Sequence, residues 1–207
     1  MFKRAIKMHP KFLAGKESRE KWVKILNNED TTIDSFNTET KNVFSKGADI
    51  VLDSEVFKKG NKIGIQCRQT VIQAIPVSGI WNQDGEYVYA FTRDNKVVKL
   101  GGTRKSMKER FGSYLCGHHT LERGKSGKMS VTNAHLYNTI EQGLLNDEKW
   151  EIYVWVLPRE TITKTILGEE VEIICQTYHA YESVAIKKFK DFAGHMPQLC
   201  DNCDPTY

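Results

Sequence analysis

No apolar run in this chain approaches the ~20 residues that a membrane-spanning helix needs. Met1 leads through Phe2 into Lys3-Arg4, with none of the apolar core of a secretion signal behind it. A membrane partner is therefore not expected, and the expected compartment is cytoplasmic. The five cysteines are odd in number and widely scattered, which argues against a disulfide scaffold and suits a reducing interior. Internal repeats and low-complexity tracts are missing too, which argues against a repeat architecture. Excess charge of one sign is also absent, at a formal +4. What remains is ordinary for a globular protein: 40% hydrophobic and 27% charged residues. A length of 207 residues allows one compact domain, or a catalytic domain with a small addition.

The charge is nevertheless uneven. From Arg104 to Lys128 seven basic side chains (Arg104, Lys105, Lys108, Arg110, Arg123, Lys125 and Lys128) face only Glu109 and Glu122, a local net of +5. Clustered positive charge of this kind marks either a nucleic-acid contact or a solvated loop. Along the rest of the chain, Lys11 to Asn28 reads as helical, and Asn27 to Lys46 as a polar loop or linker. Ile63 to Ile75 reads as a strand. Asn133–Leu145 is an amphipathic helix capped by Ser130 or Thr132, and Trp150–Leu157 a strand able to sit centrally in a sheet. Gly168 to Glu170 reads as a hairpin turn, and Tyr181–Phe192 as a final helix.

The richest stretch runs from Tyr87 to Tyr114. Two alternating strands, Tyr87–Thr92 and Lys96–Leu100, flank an Asp94-Asn95 turn. Gly101-Gly102 follows, and Ser106 then offers a cap to a helix in which Arg110 and Tyr114 lie four apart on one face. A hairpin tyrosine, a strand-end lysine beside two glycines, and an Arg/Tyr pair make a hydroxyl-and-cation cluster suited to a phosphate.

This order of residues resembles the GIY-YIG nuclease superfamily. Tyr87-Val88-Tyr89 is similar to the first motif, with Tyr89 in the place of its tyrosine. Lys99-Leu100-Gly101 is similar to the second, with lysine replacing the tyrosine. Arg110 and Tyr114 match the helix pair, and Tyr178 to Glu182 resembles the segment carrying a metal-binding glutamate. The lysine replacement and the run Ser113 to Gly117 are closest to a restriction-endonuclease branch. The resemblance spans Glu86 to Cys200. It implies an α/β (α+β) fold with a small mixed sheet flanked by helices, in a core over residues 83–207. Residues 1–82 would form an added helix and strand region for dimer contacts or DNA recognition, including Arg68. It also implies Mg²⁺ as cofactor with Mn²⁺ as a substitute, 5′-phosphate and 3′-hydroxyl products, double-stranded DNA as partner, and a homodimer. The family's closing segment resembles Met196 to Asn202, with Cys200 where asparagine is often found and Asn202 as a replacement.

Phosphodiester hydrolysis needs a deprotonated water, charge stabilisation on the phosphoryl group and help for the leaving oxygen. Tyr89 is the expected general base, Lys99 the cation that would lower its pKa, and Arg110 the fork for non-bridging oxygens. Tyr114 would orient the water or a phosphate oxygen, and Glu182 would hold one hard divalent cation. Each has an ordinary structural alternative: a half-buried strand tyrosine, an edge lysine, surface charges, a core aromatic, an exposed helix acid. Arg104, Lys105, Lys108, His118, Arg123, Lys125, Lys128 and Asn133 are the expected DNA contacts, Asn133 being also a helix-cap candidate. Cys200 and Cys203, with His195 and Cys175 or His179, have zinc-like spacing. A nuclease of relaxed or homing specificity and a non-catalytic DNA-binding protein remain as alternatives.

Overall fold

The computed structural model describes residues 22–27, 31–53, 71–115 and 131–200. Within them β1 (Ser45–Leu52), β2 (Ile72–Pro76), β3 (Tyr87–Arg93), β4 (Lys96–Thr103) and β5 (Trp150–Val156) make one sheet in the order β2-β1-β5-β3-β4. The α+β class expected from the sequence is the observed one. Every pairing is antiparallel, however, so among the described strands the sheet is not mixed. β5 is central as expected, β4 is an edge, and strands from both sides of residue 82 share the sheet. Of the strand expected over Ile63–Ile75, the described part is β2 with Val71 before it; the remainder lies outside the described residues.

The β3–β4 hairpin follows from its turn. Asp94 and Asn95 take φ of 49° and 68°, the pair of positive values that a two-residue I′ turn requires. Pairing then shifts between Phe91 and Thr92, whose partners are Lys99 and Val97, so Val98 is the extra residue of a bulge. This matters because a one-residue slip turns a strand's side chains to the other face. After the bulge Lys99 stands opposite Phe91 and Gly101 opposite Tyr89, which puts Lys99 on the Tyr89 side of the sheet.

Helices cover both faces. On one, α2 (Met107–Leu115) and α3 (Val131–Leu145) pack Met107, Phe111, Tyr114, Leu136, Tyr137 and Ile140 against Tyr87, Tyr89, Phe91, Ile152 and Val154. On the other, α1 (Ile33–Glu39) and α4 (Tyr178–Ala193) bring Ile33, Phe36, Ala185, Ile186 and Phe189 onto Val88, Ala90, Val97 and Leu100. Burial of side chains such as these, at about 1.5–3 kcal/mol each, holds the three layers together. Ser106 caps α2 as expected, its Oγ accepting from Glu109 N at 3.3 Å. α4 ends on Gly194 in the left-handed region, φ 79°. No helix among the described residues is long and apolar enough to cross a membrane.

Four local expectations are corrected. The polar stretch 27–46 holds α1 and the start of β1 rather than a loop. Thr32 caps the helix through Ser35 N, and its two fully buried residues, Ile33 and Phe36, are enough once the β3–β4 turn supplies Asn95 O to Ile33 N at 2.8 Å. The described end of the helix expected over 11–28 is irregular. There Lys24 N donates to Thr139 Oγ1 at 3.0 Å and Asn27 N to Gln198 Oε1 at 2.7 Å, partners that replace a helical ladder. α3 begins at Val131, so Thr132 is inside it, and Ser130 lies outside the described residues. Finally, the turn between β6 (Thr161–Ile166) and β7 (Glu169–Ile174) is Leu167-Gly168, because those two carry the positive φ values; Glu169 and Glu170 are already strand.

Candidate active site at the sheet edge

Tyr89 is fully buried, and its hydroxyl is the meeting point of three side chains. Arg110 Nε donates to it at 2.8 Å, Arg110 Nη2 donates to Tyr114 Oη at 2.8 Å, and the two phenol oxygens are 2.5 Å apart. The guanidinium also lies over the Tyr114 ring, Cζ 4.6 Å from its centroid. The four-residue helical spacing of Arg110 and Tyr114 creates this fork. Gly101 is required beside it, since a Cβ there would run into the Tyr89 phenol oxygen. Arg110 fills both phenol acceptors and the O···O contact uses one phenol proton. The other phenol proton is therefore left to point elsewhere, which makes the pair a hydroxyl donor, or after its loss a phenolate held by two donors.

Lys99 is 6% exposed. Its Nζ donates to Leu199 O at 3.1 Å, a carbonyl 100 positions away in sequence. Lys99 does pull the Tyr89 phenol in the expected direction, but the net shift is upward. Burial pushes the phenol well above its ordinary value and Tyr114 adds to this, while Arg110 and then Lys99 pull the other way without prevailing. Tyr114 is raised too, chiefly by burial. For Arg110 burial opposes the charge, but the two tyrosines outweigh it and hold the guanidinium proton more tightly.

Because β4 is an edge strand, groups from the opposite face reach the same place. The outer edge of β4 is occupied at alternate residues. Leu199 N donates to Val98 O at 2.8 Å, and Leu100 N donates to Cys200 Sγ at 3.2 Å. Glu182 takes the next place, receiving a backbone hydrogen bond from Gly102. Its carboxyl is raised above the ordinary range by burial, with Lys99, His179, Gly102 and Arg110 acting against the shift. Glu182 also sits over Gly102 so closely that a Cβ there would be 2.7 Å from its Oε2. The site expected from the sequence is thus brought together: Tyr89, Arg110 and Tyr114 in contact, with Lys99 and Glu182 beside them. One partly buried carboxylate is the sparse protein donor that a single hard ion such as Mg²⁺ takes alongside its waters. The cations beside it oppose the ion's charge and suit a bound phosphate instead.

Of the expected DNA contacts, Arg104, Lys105 and Lys108 are exposed at the start of α2. Arg104 Nη1 donates to Gln176 Oε1 at 3.2 Å, and Lys105 pairs with Glu109 at 2.8 Å. Asn133 donates to Ser113 O at 2.9 Å and so ties α3 to α2. His118, Arg123, Lys125 and Lys128 lie outside the described residues, as do Arg68, Asn202 and Cys203. No group of three or more metal-ligating side chains occurs among the described residues, and Cys200 Sγ is in contact with the Leu100 backbone.

Two side chains that bear on the site were not singled out by sequence. Glu86 Oε2 accepts from Thr177 N, Thr177 Oγ1 and Tyr178 N at 2.8, 2.9 and 3.1 Å, and so anchors the start of α4 to the residue before β3. Lys24 is depressed by burial and then by the charge of Lys99, which adds a second cation on the side of the C-terminal segment. Neither has a local signature, because their partners are distant in sequence.

No family model matches the chain, and no curated protein matches it in sequence. Among solved structures, the restriction endonuclease HPY188I in complex with product DNA is similar, with a TM-score of 0.51 and 19% identity over 98% of each chain. A mutant of bacteriophage T4 EndoII is also similar, with a TM-score of 0.48 and 18% identity over 74% of this chain and 93% of that one. The first likeness shows a fold shared with that restriction endonuclease along nearly the whole chain.

Proposed function

We propose that the chain is a divalent-metal-dependent endonuclease that hydrolyses double-stranded DNA at a short specific site. The observation that carries this reading is the Tyr89–Tyr114–Arg110 triangle, set beside Lys99 and the partly buried carboxylate of Glu182 at one sheet edge. Arg110 binds the non-bridging oxygens of the scissile phosphate, its charge fixed by its two phenol partners. Tyr89 takes the proton of the attacking water. Its phenolate is held by Arg110 and by the hydroxyl of Tyr114, which replaces the simpler picture of activation by Lys99 alone. Lys99, anchored on Leu199 O, adds positive charge that offsets the phosphate. Glu182 holds one Mg²⁺ or Mn²⁺, which when bound supplies charge stabilisation for the departing 3′ oxygen. Arg104, Lys105 and Lys108, continued by the basic run to Lys128, track the DNA backbone. The region before residue 83 supplies dimer contacts or base readout, and a homodimer places one site on each strand.

Digestion of a plasmid of known sequence with purified protein and Mg²⁺, followed by mapping of the fragment ends, tests this. Discrete fragments bearing 5′-phosphates, abolished by EDTA, are expected. Intact plasmid that is nevertheless bound would identify a non-catalytic DNA-binding protein, and a ladder of unrelated cut sites would identify a nuclease of relaxed specificity.

A further inference from the structure

His179 stands on the first turn of α4, three positions before Glu182, so the two side chains leave the same helix face. Its Nδ1 lies 3.9 Å from Glu182 Oε2. The imidazole rests on the Tyr178 ring, with 3.9 Å between centroids and 32° between planes. Tyr178 in turn packs over Gly102, where an added Cβ would be 2.8 Å from Tyr178 Cδ2 and 2.7 Å from Glu182 Oε2. One glycine-sized hollow on β4 therefore seats both the carboxylate and the aromatic ring that carries the histidine.

As an ion pair this arrangement contributes little, because the His179 side chain is 75% exposed and solvent screens such contacts. A shared ion accounts for the geometry better. Two adjacent ligands of an octahedral ion at ~2.1 Å are ~3 Å apart. The observed 3.9 Å leaves an opening that the exposed imidazole closes by turning about its side-chain bonds.

Resting on the reading of Glu182 as the cation-holding carboxylate, we infer that His179 is a second protein ligand of the same ion. The carboxylate oxygen and imidazole nitrogen together make the site prefer Mn²⁺ to Mg²⁺. Both ions favour oxygen donors, but the softer Mn²⁺ accepts an imidazole nitrogen more readily than Mg²⁺, which is reluctant to give up its waters.

The test uses the full chain without DNA and Mn²⁺ as the probe. Electron spin resonance gives the affinity, and electron spin echo modulation detects directly bound nitrogen. Wild type is expected to show nitrogen modulation that His179→Ala loses. Its Mn²⁺ affinity should fall at least about tenfold, since even outer-shell partners of metal ligands are worth that much. Mg²⁺ affinity, read by displacement, should change far less. Nitrogen modulation that survives in His179→Ala, or equal losses for both ions, would overturn the assignment. Glu182→Gln separates the two ideas. If it weakens both ions while His179→Ala changes neither, only the histidine ligand fails. If neither variant changes binding, the reading of Glu182 fails as well.

Discussion

Gly102 is the position at which the smallest change should do the most selective damage. An alanine there would place its Cβ 2.7 Å from Glu182 Oε2 and 2.8 Å from Tyr178 Cδ2, and 3.3 Å from Glu182 Cβ. Ordinary contact begins at 3.4 Å, so the carboxylate must retreat by about 0.7 Å and the Tyr178 ring by about 0.6 Å. The strand cannot absorb this, because Gly102 is paired with Val88 inside the β3–β4 ladder. The start of α4 is likewise held by the three hydrogen bonds to Glu86. The carboxylate therefore leaves its backbone donor while the helix stays in place. A misplacement approaching 1 Å at a reacting centre costs on the order of 10²-fold in rate, equivalent to about 2.7 kcal/mol at the transition state. Overpacking costs about 1–3 kcal/mol of stability, toward the lower end here because a flexible carboxylate takes most of the strain. Gly102→Ala should thus remain folded, lose roughly 10²-fold in single-turnover cleavage, and need more Mg²⁺ for half-maximal rate. Cleavage rates across a Mg²⁺ series, with thermal unfolding as the control, measure this. Wild-type cleavage at an unchanged Mg²⁺ midpoint would refute the placement of Glu182 over β4.

The raised carboxyl of Glu182 gives a stability test in EDTA. A carboxyl with its folded pKa above the unfolded one favours the fold only while protonated, and that contribution disappears as pH rises through the folded pKa. Glu182→Gln should therefore be more stable than wild type near neutral pH and converge with it in acid; a uniform difference at all pH values would contradict the assigned shift. Lys99→Met removes a charge that favours the Tyr89 phenolate, so its pH–rate profile should move to higher pH; movement to lower pH would leave Lys99 a phosphate-contact role only. Replacing Arg104 and Lys108 by glutamine should weaken binding to all duplexes alike and flatten the slope of log K against log salt by ~0.9 for each lost phosphate contact. Anisotropy across a salt series reads this, and an unchanged slope would make both residues solvated surface.

The hairpin and α2 were legible because their signals are local. Asp94-Asn95 makes its own turn, Ser106 caps its own helix, and Arg110 and Tyr114 meet through helical periodicity. The face on which Lys99 lies was less so. It depends on a bulge at Val98, and no local residue signals that slip. α1 was hidden for another reason: with only Ile33 and Phe36 apolar on its buried side, it is stabilised by the hairpin and α4 rather than by its own sequence. The Tyr89 pKa went the opposite way from expectation because sequence shows the neighbouring cations but not the complete burial of the phenol. Glu86 and the Leu199 carbonyl act across 91 and 100 positions, a separation at which one sequence gives no pairing information.

Single-turnover cleavage by Tyr89→Phe, with binding to the same duplex measured alongside, tests the central claim most directly. The substitution removes one hydroxyl and leaves the ring that packs on Phe91 and Tyr114. The rate should fall by ~10²–10⁴-fold, the usual cost of losing one positioned proton-transfer group. DNA affinity should stay near that of wild type, and Glu182→Ala should behave in the same way. A Tyr89→Phe enzyme that cleaves at the wild-type rate would contradict the assignment of this triangle as the catalytic centre.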